Sequence, residues 1–158
     1  MAKSRTTWII LIIVVLIGLW LIRIYNSLVT ADENVSTAWS QVENVYQRRL
    51  DLIPNLVNTV QGAADFERNT LNEVIQARAA ASSINLDAAN LNEANLAAFQ
   101  QAQDGLGQAL SRLMVVVERY PELKANQNFR DLQSQLEGTE NRIAVERNRL
   151  NEAVRIYN

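Results

Sequence analysis

The sequence predicts an all-α fold: a single N-terminal transmembrane helix leading into an antiparallel bundle of long helices. Three observations carry this. The first is composition: only five glycines and two prolines occur in 158 residues, against a background rich in Ala, Leu, Asn, Gln, Glu and Arg, which suits long helices. The second is one uninterrupted apolar run, Thr6 to Ile22. The third is a repeat of apolar positions at helical spacing from Val35 onward. The length allows one ordinary domain beyond the anchor.

The anchor comes first. TTWIILIIVVLIGLWLI carries no charge and at about 1.5 Å per residue covers roughly 25 Å. Ile24 and Tyr25 extend it toward the ~30 Å of a bilayer core. Trp8, Trp20 and Tyr25 supply interfacial aromatics, and Arg23 is placed to snorkel to the headgroups. A cleaved leader is the rival reading, since Val29-Thr30-Ala31 resembles a peptidase site. That tripeptide lies far beyond Ile22, so an anchor over 1–25 and a helical body over 26–158 are expected. Lys3 and Arg5 precede the span, while Asp32 and Glu33 follow Arg23. The bias places the N-terminus in the cytoplasm and the body outside a bacterial cytoplasmic membrane.

The body follows without a Gly-Pro or Ser-rich linker, so the membrane helix is expected to run on into it. Val35, Val42, Arg49, Leu56 and Ala63 form one series of sevens, and Trp39, Tyr46, Ile53 and Val60 a second. Together they make a wide helical stripe. Pro54 interrupts it, removing a backbone donor and displacing the carbonyl of Leu50. A kink or brief interruption near 50–54 is therefore expected, with Asp51 capping the restarted helix. That interruption would turn three long helices into four.

Helical spacing persists through Phe66, Leu71, Val74 and Ile75 and stops at Ser82-Ser83. Residues 84–90 read as a loop closed by an Asn90-x-x-Glu93 capping pattern. The next helix carries Phe99, Ala102, Leu106, Leu110, Leu113, Val117 and Tyr120, with Gly105 and Gly107 allowing close approach of another helix. Pro121 ends it, and residues to about Asn128 connect to a strict seam: Phe129, Leu132, Leu136, Thr139, Ile143, Glu146, Leu150, Ala153 and Tyr157. These steps alternate three and four, as in a coiled-coil heptad.

Arg49 on an apolar stripe needs a partner, because an unpaired buried charge is costly. Glu146 on the last seam is the nearest candidate, with Glu137 and Glu140 on adjacent faces and Arg142 completing a buried polar network. Such a network fixes helix register more reliably than it adds stability.

The blocks RRLDLIPNLV, YPELKAN and LEGTENRIA, in that order behind an apolar anchor, resemble the LemA family of bacterial membrane-anchored proteins. The resemblance covers the chain from the anchor onward. It implies an antiparallel helical bundle and no established enzymatic chemistry. Relatives usually continue into a segment containing a Phe-Pro pair, which is not found before Asn158, so functions residing there are expected to be missing.

Composition narrows the chemistry. With no Cys and no His, thiolate metal sites, disulfides and a Ser-His-Asp triad are excluded. Gly105-x-Gly107 lacks the Lys-Ser or Lys-Thr of a phosphate loop. After residue 23 the chain holds 12 basic against 17 acidic residues, with Lys124 its single lysine, which speaks against nucleic acid. The expectation is a non-enzymatic scaffold without cofactor or metal, self-associating into a higher-order assembly attached to the lipid bilayer. The alternative is a monomeric or dimeric adaptor for another membrane protein, such as a protease or signalling partner.

Overall fold

A computed structural model describes residues 2–63, 66–84, 86 and 92–158. The fold is all-helical: α1 (Ala2–Gln61), α2 (Arg68–Ser83), α3 (Glu93–Val117), the short α4 (Pro121–Ala125) and α5 (Gln127–Tyr157). Helices α1, α2, α3 and α5 alternate in direction, giving an up-down-up-down bundle. Neighbours pack as α1 with α5, α2 with α3, and α1 with α2, while α3 and α5 face each other across a groove.

Helix α1 runs unbroken for 60 residues, roughly 90 Å at 1.5 Å per residue. No linker separates its apolar half from its bundle half. Residues 11–17 and 19–30 are exposed side by side, Trp8 and Trp20 among the most exposed at 66% and 62%. This is a helix long and apolar enough to cross a membrane. Arg23 and Tyr25 are likewise exposed on it. The stripe turns inward only from Val35, and Trp39, Val42, Tyr46, Ile53, Leu56 and Val60 are buried.

The expected interruption at 50–54 does not occur. Pro54 lies within α1 on its exposed face, and the carbonyl it frees, that of Leu50, accepts a hydrogen bond from Arg78 Nε of α2 at 3.0 Å. The lost donor is replaced from the neighbouring helix, so the backbone need not break to find a partner. Asp51 does not cap a restarted helix either: its carboxylate accepts from Gln47 Nε2, one turn back, at 2.9 Å. The division that yields four long helices comes later, at Gly62, where a residue of low helix propensity ends α1.

Helix α2 ends at Ser83, as the spacing predicts. Asn92, not Asn90, caps α3, its side chain accepting from the Asn95 amide at 2.9 Å; Asn90 lies outside the described residues. The connector after Pro121 is itself helical (α4), and Asn126 caps α5 by accepting from the Phe129 amide at 3.2 Å. Along α5, Phe129, Leu132, Leu136, Thr139, Ile143 and Leu150 are buried. The seam loosens beyond Leu150, and Tyr157 is exposed.

A buried polar layer and its groove as the candidate functional site

The core is two clusters rather than one. The first lies nearer the apolar half of α1 and gathers Trp39, Val42, Tyr46, Leu86, Phe99, Ile143 and Leu150. The second fills the far end with aliphatic side chains from all four long helices, including Ile53, Val74, Leu106 and Leu136. Between them the helices place polar residues at one level: Arg49 between Tyr46 and Ile53, Gln103 between Phe99 and Leu106, and Thr139 between Ile143 and Leu136. All three are buried. Arg78 meets the edge of this level through Leu50.

Each member of the layer solves its burial differently. Thr139 turns its hydroxyl back to donate to the Gln135 carbonyl at 2.7 Å. Arg49, 7% exposed in its side chain, sends Nη2 to within 3.3 Å of Glu140 Oε2, whose own side chain is 60% exposed. The ion pair thus has one end in the core and one in water, which lowers the desolvation cost of Arg49 without stripping both charges. Gln103 is 1% exposed, and neither its Oε1 nor its Nε2 has a hydrogen-bond partner among the described residues. A buried amide left so costs on the order of 1–3 kcal/mol per group.

Above the layer, α3 and α5 stand apart over a groove of about 480 Å³. Arg49 and Gln103 line it together with Asp104 and Gln108 of α3 and Glu137 and Glu140 of α5. Gly107 makes room there: a Cβ at that position would meet Arg49 Nη2 at 3.0 Å. The glycine therefore accommodates a side chain rather than another helix, and Gly105 faces open space. Three carboxylates against one guanidinium leave the lining net negative by two charges.

Of the residues the sequence grouped with Arg49, the structure brings Glu140 to it and sets Glu137 on the same groove. Glu137 accepts from Gln133 Nε2 at 3.0 Å. Glu146 does not reach Arg49, since it pairs with Arg149 on its own helix at 2.9 Å. Arg142 is exposed on another flank of α5. Sequence reasoning missed Gln103 and Arg78, and it assigned Gly107 to the approach of another helix where the structure sets the Arg49 guanidinium. Gln103 had a signal, standing four residues past Phe99 and three before Leu106 on the apolar stripe.

Beside the layer, Tyr46 packs edge-on to Phe99, ring centroids 5.0 Å apart. Burial raises its phenol pKa above 10, with Arg147 and Arg49 pulling it down and Asp104 and Glu140 adding to the rise. Among the described residues no cluster of three or more acidic side chains is arranged to hold a metal ion.

The LemA family profile matches residues 38–158, the whole bundle from the buried Trp39 to the end of α5. The chain belongs to the LemA family. Curated relatives include magnetosome proteins MamQ 1 and MamQ 2 of Paramagnetospirillum magneticum, each 29% identical over 170 residues, covering 94% of this chain and 61% of the relative. Magnetosome protein MamQ of Magnetospirillum gryphiswaldense is 27% identical over 151 residues, 85% of this chain and 56% of the relative. This LemA-family chain thus spans about three fifths of the length of the relatives it matches.

Proposed function

We propose that this LemA-family protein is a non-enzymatic scaffold, anchored by one span in the bacterial cytoplasmic membrane, whose helical bodies associate side by side into a membrane-attached assembly. The observation that carries it is the unbroken α1, which passes from the apolar stretch into the bundle core without a hinge. Every copy in one bilayer is thereby held in the same orientation, so like surfaces repeat at like levels, the condition for closed or extended arrays. The names of the magnetosome relatives fit a protein that works as part of a larger body. The basic residues before the span support a cytoplasmic N-terminus with the bundle outside.

Light scattering and single-particle imaging of the full chain in mild detergent test the assembly. The expected result is a large, discrete particle; one or two subunits would sink the scaffold reading in favour of the adaptor. That second reading draws support from the α3–α5 groove, where Leu110, Met114 and Leu136 lie beside charged side chains, a mixed surface fit for a partner's side chain. Orientation is tested separately with Asp87→Cys in intact cells. Labelling by an impermeant thiol reagent is expected, and protection would reverse the topology.

A further inference from the structure

The groove between α3 and α5 has two properties that bear on an occupant. Its lining carries a net charge of −2 from Asp104, Glu137 and Glu140 against Arg49, and Gln103 in that lining keeps an amide with no partner among the described residues, both of its polar atoms closed to solvent. A guanidinium answers the charge: it meets carboxylates in a fork geometry and is more weakly hydrated than an ammonium.

The same chain displays that group elsewhere, at the same level. Arg48 and Arg142 are exposed and form no ion pair among the described residues. On the outer flank of the α1/α5 pair, Asn55 and Gln135 line a shared shallow groove. Arg48 stands seven residues before Asn55 and Arg142 seven residues after Gln135, so both continue that flank, two turns along. On α5, Arg142 is about 200° around from Glu140 at 3.6 residues per turn, on the side away from the acidic groove. Arg48 adjoins Arg49 in sequence and Arg142 stands two residues past Glu140, the pair that marks the polar layer.

We propose that the Arg48/Arg142 flank of one copy docks on the α3–α5 groove of the next. Arg142 of the entering copy lies between Asp104 and Glu137, over the buried Gln103. This rests on the scaffold reading and specifies its contact. Copies anchored upright in one membrane can only join surfaces at equal levels, and here a cationic flank and an anionic groove share one. Because the two surfaces differ, the contact is head-to-tail and repeats from copy to copy instead of stopping at a dimer.

The absence of cysteine from the natural chain gives a clean test. Gln108→Cys/Val145→Cys in the full-length protein, which keeps Arg142 and places a cysteine one turn from it at an exposed position, is expected to give a ladder of cross-linked multimers when oxidised in native membranes, with neither single variant doing so. In detergent, Arg142→Glu is expected to weaken assembly at least tenfold in concentration, and added Glu137→Arg to restore it; circular dichroism verifies that each variant keeps its helices. A ladder that stops at two subunits would overturn the head-to-tail pairing. So would an assembly that forms normally with Arg142→Glu and gives no ladder, though the scaffold reading would then stand. A wild-type particle of one or two subunits would remove the scaffold reading and this contact together.

Discussion

The two cores on either side of Arg49, Gln103 and Thr139 hold the bundle by different means. The far cluster is almost wholly aliphatic, drawing Leu, Ile and Val from every long helix. Its contribution scales with apolar area and has little angular preference. The cluster nearer the apolar stretch is directional: Trp39 and Tyr46 both meet Phe99 edge-to-face, at 5.5 and 5.0 Å. Trp39 also donates from Nε1 to the Leu86 carbonyl at 3.1 Å. One end of the bundle is thus held by bulk, and the other fixes Leu86 and Phe99 in particular positions. A polar layer between them forbids sliding, since a shift by one turn would carry Arg49 or Gln103 into an apolar cluster.

Substitutions that separate the two cores should have the largest effect. Trp39→Ala is expected to destabilise by about 3–5 kcal/mol and Leu106→Ala by about 2–5, read from denaturant unfolding. Only Trp39→Ala should also speed amide exchange around Leu86. Equal exchange in the two variants would mean the Trp39 hydrogen bond does not hold Leu86.

The junction of α1 and α2 offers a finer test. Arg78→Met leaves the Leu50 carbonyl without its donor and should cost about 1.5–3 kcal/mol. In a Pro54→Ala background residue 54 regains an N–H for that carbonyl, so the same change should cost at least ~1 kcal/mol less. A cycle with no coupling would show that Arg78 acts through packing alone.

The glycines of α3 should respond differently from each other. Gly105→Ala, in open space, is expected to stabilise by about 0.5–1 kcal/mol. At Gly107 an added methyl crowds the Arg49 guanidinium, and the strain of moving it, ~0.5–1.5 kcal/mol, cancels or exceeds that gain. Equal melting shifts for the two would mean Arg49 yields freely.

Smallest is the effect of pH on Tyr46. Its folded pKa is raised by burial, so the unfolded chain ionises first, and stability present below about pH 10 falls as pH rises through the folded value. Tyr46→Phe should flatten that fall between pH 9 and 11 while changing little at pH 7. An unchanged pH profile would count against burial of the phenol.

Much of this was legible in the sequence. The stripe from Val35 to Val60 and the seam from Phe129 to Leu150 follow from spacing, because burying one face is what makes such helices stable. That Arg49 lies within the stripe was readable too. Its partner was not: Glu146 shares the seam, but the offset between α1 and α5 is set by the packing of both whole helices, and that offset delivers Glu140. The ending of α1 at Gly62 was hidden because apolar spacing carries on through Phe66 and Leu71 after the turn. The survival of the helix through Pro54 depends on Arg78, 28 positions away, a contact no local pattern contains.

The unbroken α1 also acts as a ruler with a phase. From Tyr25, at the end of the apolar stretch, to Arg49 is 24 residues, a standoff of about 36 Å at 1.5 Å each. One residue inserted in the exposed segment 26–30 would lift the whole body by about 1.5 Å and swing it by about 100° relative to the apolar stretch. An insertion of seven would lengthen the stalk by about 10 Å yet return the body almost to its original azimuth. The segment between apolar stretch and bundle can therefore vary smoothly in composition, but in length only by steps that keep the heading.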